Sequence, residues 1–389
     1  MEVLFQVLLV LLLAKVLGEL VERVGFPSIL GEVLTGLVLG FFLIQDNTEV
    51  LSFLAELGAI FLLFTAGYRE VHLRDLKASS KKAMVATLFQ VLVAFASGFL
   101  LGWYFDLGFL ASMFMGVAFS PTSIGVVVKT LVDMDYLSSK PGTMMLTTAI
   151  FDDIIGIFLL SIVVTMVQYE QIPSMMQILV IAGKLVFFIV VMALLGHYVF
   201  PRLFTYIHRM RVKESLFAFV VIVALFSAYF AELMGLHAVI GAFVGGVLLS
   251  DIPLAKIENV QSKVSGVAYG IFVPIFFAYI GLSIDPATLH SIGMFTVLVV
   301  LMALLGKLLG GFAGARMIGF DNHDSLIFGT GLMARAGVEL VVISIGREMG
   351  IVTDEMFSAI VLMVAVSLFV SPVLLKMVIG IKQISVQNG

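Results

Sequence analysis

Hydrophobic and polar positions alternate along the chain in long blocks, and polar clusters separate apolar runs near or above 18 residues. A helix of such a run is long enough to cross the hydrocarbon core of a bilayer. We therefore predict an all-α polytopic membrane protein with thirteen transmembrane helices, at 2–24, 28–44, 50–69, 82–105, 108–131, 142–168, 175–200, 214–234, 236–251, 263–284, 291–319, 325–347 and 355–380. The segment 236–251 is short, and merging it with its neighbour would give twelve.

The basic residues divide sharply between the two sets of loops. Seventeen of the 22 Lys and Arg residues fall in alternate loops or at the C-terminal end, whereas the opposite loops contain one, Arg347. Cytoplasmic loops carry an excess of basic residues, and a miscounted span in the middle would destroy this separation. The pattern predicts a multi-pass protein of the cytoplasmic membrane with its N-terminus outside and its C-terminus in the cytoplasm.

Composition narrows the class of protein further. Hydrophobic residues make up 61% of the chain and charged residues 12%, which excludes an ordinary water-soluble enzyme. A net charge of −4 gives no reason to expect nucleic acid, and the lack of cysteine excludes disulfides and thiolate chemistry. HExxH, Walker and GxGxxG motifs are absent. We predict a lipid-embedded protein that is not an enzyme, has no cofactor and has no soluble regulatory domain in this chain.

Two adjacent acids, Asp152 and Asp153, lie in the middle of the sixth predicted span. Neighbouring residues of a helix point about 100° apart, so each aspartate is expected to face a different neighbour. The alternative is a polar pair satisfied by hydrogen bonds between helices. Because charge is costly in hydrocarbon and such acids usually mark ion or proton paths, we favour a role in an ion or proton path.

Four basic residues also fall inside predicted spans. Lys15 and Lys184 are expected to snorkel or to meet a partner, whereas Lys307 and Arg335 lie nearer the centres of their segments. A charge at the centre of a span costs about 2.5–3.5 kcal/mol on insertion scales, so each of these two should have a partner or line an aqueous cavity. Glycines at every fourth position of 306–314 predict a close-packing face that would bring Lys307 near another backbone.

Two predicted spans contain interruptions. The fifth contains the polar, proline-containing stretch 118–125, and the twelfth contains Arg335, Gly337 and Glu339 within 333–339. Each alone could be a kink that neighbouring side chains satisfy. Together they lie seven spans apart, and an odd offset reverses orientation across the membrane. This arrangement predicts an inverted-repeat transporter with two crossing discontinuous helices, in which spans 1–6 and 8–13 are the repeats.

Several motifs together resemble the monovalent cation:proton antiporter-2 family, and within it the NapA-type sodium/proton antiporters. They are the stretches 25–40 (GFPSILGEVLTGLVLG) and 56–67 (ELGAIFLLFTAG), the Asp152-Asp153 pair, and 307–310 (KLLG). The resemblance covers essentially the whole chain, and it implies the same helical fold.

The resemblance also implies roles for individual residues. Asp153 would bind the cation, Na⁺, and the proton in turn, and Asp152 would pair with Lys307 when no sodium is bound. Thr122, with the neighbouring Ser123 and backbone carbonyls of the interrupted fifth span, would help to ligate the ion. The transported ions would be Na⁺ (or Li⁺ or K⁺) and H⁺, and exchange would be electrogenic if Lys307 also releases a proton.

Arg335 and Glu339 would then belong to an internal charge network. The resemblance further implies a homodimer built from a dimerisation domain and a core ion-transport domain that moves to give alternating access. By this reading the dimerisation domain comprises 1–69 and 213–284, the core comprises the repeats 82–168 and 291–389, and 175–207 is a linker helix.

Competing functions come from several classes. A channel would need a continuous pore with rings of ligands, an intramembrane hydrolase normally has its two aspartates on separate helices, and a bile-acid symporter-like carrier would transport an organic anion. The nearest rival is a potassium/proton antiporter of the same family. Many potassium-efflux members have Gln-Asp in place of Asp-Asp and a C-terminal nucleotide-binding domain. The chain has neither, which favours sodium or lithium.

Overall fold

The chain is described by a computed structural model that covers residues 2–42, 49–70, 80–123, 136–168, 175–250, 258–284 and 293–387, with a few single residues between them. The helices are α1 (Glu2–Arg23), α2 (Ile29–Phe42), α3 (Glu49–Glu70), α4 (Ser80–Tyr104), α5 (Phe109–Ala118), α6 (Lys140–Gln168), α7 (Met175–Leu194), α8 (Phe200–His208), α9 (Ser215–Leu233), α10 (Ala238–Leu249), α11 (Glu258–Val267), α12 (Val273–Leu282), α13 (Met294–Met317), α14 (Asn322–Gly331), α15 (Val338–Glu348) and α16 (Asp354–Gln387). Two π turns join consecutive helices, π1 (Leu195–Val199) between α7 and α8 and π2 (Ala268–Phe272) between α11 and α12.

Helix length agrees with a membrane location. Within the described ranges, nine helices are long and apolar enough to cross a bilayer, and Ile29–Gly40, Phe109–Ala118 and Ala238–Leu249 are shorter apolar helices. A helix satisfies its backbone hydrogen bonds internally, which hydrocarbon requires. The predicted all-α class of membrane protein is confirmed. The total of thirteen spans stays a prediction, and Ile124 and Gly125 of the predicted first interruption lie outside the described residues.

The doubtful boundary between 214–234 and 236–251 is a turn between two separate helices. Helix α9 ends at Leu233, Gly235 has a left-handed φ of +78°, and α10 starts at Ala238. The chain reverses here, because α9 and α10 pack on each other and a Cβ on Gly241 would overlap the carbonyl oxygen of Ser227. The two segments therefore do not merge into one long helix.

The helices group into two units. The first contains Met1–Val21, Gly31–Arg74 and Val164–Ser283, and within it α3 packs against α10 and α12. The second contains Glu22–Leu30, Asp75–Val163 and Ile284–Gly389, and within it α13 packs against α4, α14 and α16. Residues 175–207, predicted to be a linker helix, belong to the first unit. The predicted roles, a dimerisation domain and a moving core, stay predictions.

In the second unit, glycines of α13 form a seam against α4. A Cβ on Gly310 would come within 2.9 Å of the Cα of Gln90, and one on Gly314 within 2.7 Å of the Ala86 carbonyl oxygen. At Gly306 the obstacle would be the side chain of Ser97. Without side chains at these positions the two backbones can approach closely, as in other membrane helix pairs. The predicted close-packing face at 306–314 thus faces α4.

Both π turns precede a proline. Pro201 and Pro274 each follow a π turn by one intervening residue, and each lacks the N–H group that a wide turn would otherwise direct to a carbonyl five residues earlier. In π2 the N–H of Val273 bonds to the carbonyl of Ala268, and Pro274 cannot donate in the same way to the next carbonyl, that of Tyr269.

Lys15 donates a hydrogen bond to this carbonyl from another helix. Its Nζ on α1 donates to the Tyr269 carbonyl oxygen at 2.8 Å. Lys184, the other lysine within a predicted span of this unit, places its Nζ 3.7 Å from the position of a Cβ on Gly235. This position lies beside the C-terminal end of α9, where a cation complements the helix dipole. Both lysines thus have a location that explains a charge inside a predicted span.

We expect Lys15→Met to lower the free energy of unfolding by about 1 kcal/mol, because the Tyr269 carbonyl loses its hydrogen bond from the Lys15 ammonium. Thermal unfolding of the detergent-purified protein measures the change. Lys15→Arg, which keeps a donor, is the matched control and should retain most of the stability. Equal stability of Lys15→Met and the parent protein would contradict a role for this bond.

Candidate ion-binding site

The two adjacent aspartates lie in the middle of α6, in the second unit, and both are buried. Asp152 is 0% exposed and Asp153 is 4% exposed. Helix geometry directs their side chains about 100° apart. A carboxylate removed from water is costly unless it is paired or hydrogen-bonded, so the partners of these acids decide what the site can do.

Asp152 forms a compact cluster with Lys307, Thr122 and Gln90. The Lys307 Nζ lies 2.6 Å from Asp152 Oδ2, 2.8 Å from Thr122 Oγ1 and 2.5 Å from Gln90 Oε1. The Gln90 Nε2 donates to the other carboxylate oxygen, Oδ1, at 2.5 Å, and the Thr122 hydroxyl donates to Oδ2 at 2.6 Å. All four side chains are at most 3% exposed.

The cluster satisfies both charges. An ammonium group has three donors, and those of Lys307 have three acceptors on three side chains. Both oxygens of Asp152 accept at least one hydrogen bond. A buried ion pair is tolerated only when such bonds accompany it, since the mutual attraction of the charges does not by itself repay their desolvation.

The two predicted interruptions meet beside this cluster. Helix α5 ends at Ala118 and residues 119–123 are not helical, whereas α14 ends at Gly331 and α15 begins only at Val338. The backbone N–H of Ser123 donates to the Ala334 carbonyl oxygen at 2.8 Å. Thr122 Oγ1 also lies 3.3 Å from the Leu332 carbonyl oxygen, an alternative acceptor for its single proton. Non-helical backbone at both interruptions therefore brings polar oxygens to the ion pair.

Arg335 is fully buried in the second interruption and binds backbone. Its guanidinium donates at 3.2 Å to the carbonyl of Ala118, the last residue of α5, and at 3.1 Å to the carbonyl of Ala303. The guanidinium carbon also lies 5.7 Å from the centre of the Phe119 ring. A cation at the C-terminal end of a helix complements carbonyls that have no partner within the helix.

Glu339 lies in the first turn of α15 and is 1% exposed. Within the described part of the chain, its Oε1 and the Nε of Arg335 are buried without a hydrogen-bond partner. The membership of both residues in an internal charge network stays a prediction.

The structure brings together most of the residues singled out in the sequence. Asp152, Thr122 and Lys307 are in direct contact, Asp153 is adjacent along α6, and Ser123 joins the two interruptions. Sequence reasoning missed Gln90, an uncharged residue in an apolar helix. Its only signal was a carboxamide at the centre of the run 83–104.

The available ligands are oxygens. Among the described residues, no group of three or more His, Cys, Asp or Glu side chains could hold a metal ion. Around Lys307 the structure instead brings together one carboxylate, that of Asp152, and the Thr122 hydroxyl. Oxygen is the ligand atom that a hard cation such as Na⁺ prefers. Such a cation would be a transient substrate, and it would compete with the Lys307 ammonium for the same oxygens.

Comparisons with known proteins identify the family of the chain. A family described as "Sodium/hydrogen exchanger, transmembrane" matches residues 8–379. The "Na(+)/H(+)-K(+) antiporter GerN" of Bacillus cereus is 33% identical, over 98% of this chain and 97% of its own length. The "Na(+)/H(+) antiporter" of Enterococcus hirae is 28% identical over 95% and 96%.

The fold is also shared with a solved structure. The sodium proton antiporter MjNhaP1 from Methanocaldococcus jannaschii, solved at pH 8, superposes with a TM-score of 0.78 at 18% identity, covering 97% of this chain and 98% of its own. A likeness at that identity shows the fold alone, whereas the family match spans nearly the whole sequence. The chain belongs to the sodium/hydrogen exchanger family.

Proposed function

We propose that the protein exchanges sodium, or lithium, for protons across the cytoplasmic membrane. The observation that carries this proposal is the buried Asp152–Lys307 ion pair, which lies beside Asp153 where two helix interruptions meet. Relatives that cover 98% and 95% of the chain are named an Na⁺/H⁺-K⁺ antiporter and an Na⁺/H⁺ antiporter, which supports the same activity. The finer assignment to the NapA type is part of the proposal.

Competition for carboxylate oxygens couples the two ions. Asp153 binds either a proton or a cation, because one carboxylate cannot hold both well. Sodium would take ligands from Asp153, Asp152, Thr122 and Ser123, and two of these residues contact Lys307 in the structure. Lys307 therefore occupies Asp152 and Thr122 while sodium is absent and leaves them when sodium enters.

The same chemistry restricts which states can cross the membrane. An aspartate that carries a proton or a sodium ion is closer to neutral than an empty one, and an uncompensated charge in hydrocarbon is costly. Alternating access then carries one ion in each direction without a leak. If Lys307 releases its own proton when sodium binds, two protons exchange for one sodium and the cycle moves net charge.

The larger architecture of the proposal follows the sequence. Thirteen spans in two inverted repeats, with the N-terminus outside, would place the two interruptions at the same depth in opposite orientation. Segments 82–168 and 291–389 would form the moving core. Segments 1–69 and 213–284 would form the dimerisation domain of a homodimer.

We expect Asp153→Asn to abolish sodium-dependent proton flux in proteoliposomes, because an amide neither releases a proton nor offers a negative charge to the cation. A pH-sensitive dye inside the vesicles measures the flux after a sodium pulse.

Thr148→Val is a matched control on the same helix. Thr148 is 0% exposed, and its hydroxyl has no hydrogen-bond partner within the described ranges. This variant should keep its exchange activity. Robust flux in Asp153→Asn would overturn the assigned role of Asp153.

We expect Lys307→Gln, if it transports, to lose the response of exchange to membrane potential, because the second proton would be removed. Moving one net charge across 100 mV is worth about 2.3 kcal/mol. A potential of about 100 mV should therefore shift the equilibrium constant of wild-type exchange about 50-fold. Valinomycin-imposed potassium potentials provide the measurement. Lys184→Gln removes a lysine of another predicted span, outside the cluster, and should keep the response. Identical responses in wild type and Lys307→Gln would make Lys307 structural.

Ion selectivity separates the proposal from its nearest rival, a potassium/proton antiporter, which the name of the Bacillus cereus relative keeps open. We expect half-maximal exchange at lower sodium or lithium than potassium concentrations, because Asp152 and Asp153 offer two carboxylates to a small hard cation. Pulses of each chloride salt at one pH and zero potential give the order. A preference for potassium would favour the rival.

A further inference from the structure

Gln90 binds both members of the buried ion pair, and nothing in the charge pattern of the chain pointed to it. Its carbonyl oxygen accepts from the Lys307 ammonium at 2.5 Å, and its amide nitrogen donates to the Asp152 carboxylate at 2.5 Å. We propose that Gln90 is a positioning residue that holds Lys307 on Asp152 and thereby sets the apparent affinity for sodium. The inference rests on the proposed exchange of sodium for protons.

A primary amide suits this position because its two ends have opposite polarity. The oxygen only accepts and the NH₂ group only donates, so one side chain can bind a cation and an anion at once. Reversing the amide would direct its donors at the ammonium and its oxygen at the carboxylate, which is unfavourable at both ends. The two charges therefore fix the orientation of the amide, and the amide fixes the separation of the charges.

The backbone is arranged to bring Gln90 to this place. Gly310 lies three residues after Lys307 on α13. A Cβ on Gly310 would come within 2.9 Å of the Cα of Gln90 and within 3.0 Å of the backbone carbonyl oxygen of Gln90. A larger residue there would push α4 away from α13, which carries Lys307, and lengthen the bond between the Lys307 ammonium and the Gln90 amide. The glycine seam thus determines the reach of Gln90 to the ion pair.

The simpler reading is that Gln90 only joins two helices. Polar side chains often hydrogen-bond across membrane helices and stabilise them. A joining residue would change stability or the maximal rate when it is replaced. A positioning residue would change the competition between Lys307 and sodium, which is measured by the KM for sodium.

The direction of that change follows from the contacts. Lys307 covers Asp152 Oδ2 and Thr122 Oγ1, which are proposed sodium ligands. Gln90 stabilises the ammonium and the carboxylate in this arrangement, and bonds to charged groups are the stronger hydrogen bonds of proteins. Removing the amide weakens the Lys307–Asp152 ion pair, so that sodium displaces Lys307 from these oxygens more easily.

The test is Gln90→Met, which keeps an unbranched side chain of similar length and removes both polar ends. We expect the KM for sodium to fall by about three- to tenfold at constant pH, the size expected for losing part of two charged hydrogen bonds. Ser97→Ala is the matched control, because Ser97 faces the same seam at Gly306 and its hydroxyl bonds to its own helix, at Ala94. This control should keep the wild-type KM.

A double-mutant cycle identifies the partner. In a Lys307→Gln background, Gln90→Met should leave the sodium affinity unchanged, because there is no ammonium to hold. The shift of melting temperature with sodium concentration gives that affinity in detergent, even for variants too slow to assay. An unchanged sodium affinity in Gln90→Met, or an equal shift in the Lys307→Gln background, would overturn the role of Gln90. Absence of sodium-proton exchange in the wild type would instead overturn the proposed function.

Discussion

A lysine and an aspartate, Lys307 and Asp152, sit 2.6 Å apart in the second unit, where neither has any solvent exposure. Their mutual attraction would not maintain such an arrangement in hydrocarbon if other donors and acceptors were missing. Gln90 and Thr122 supply them, and together the four side chains convert two costly charges into a saturated hydrogen-bond network. Much of the surrounding structure can be understood as the means of assembling this network.

The helix interruptions are part of the same solution. A continuous α-helix uses its carbonyls internally and has none to offer, whereas the non-helical stretches at 119–123 and 332–337 expose backbone polar groups at the depth of the ion pair. Such groups need partners of their own. The Ser123–Ala334 backbone bond satisfies one pair, and Arg335 binds the carbonyl that ends α5. Arg335, a second buried cation, thus stabilises the carbonyl at which the first interruption begins.

Sequence alone predicted the helical class and most of the charged residues of the site. Asp152 and Lys307 stand out because charge is rare in long apolar runs. Gln90 did not stand out, since one uncharged amide in a helix is ordinary until its neighbours are known. The partners of Arg335 and Lys15 could not be predicted from the sequence either. Both side chains bind backbone carbonyls, which every residue possesses. Which carbonyl has no donor depends on where a helix ends or where a proline follows a π turn.

The glycine seam of α13 has a consequence for how this protein can evolve. Gly306, Gly310 and Gly314 touch no ion in the proposed cycle, yet they set the distance between α13, which carries Lys307, and α4, which carries Gln90. A substitution at one of these positions would change the distance between α13 and α4 and thereby the strength of the Lys307–Asp152 ion pair. We would therefore expect the small residues of α13 and the facing residues of α4 to change together among descendants of a common ancestor. Under the proposed role of Gln90, sodium affinity would then diverge between such lineages while every charged residue stays the same.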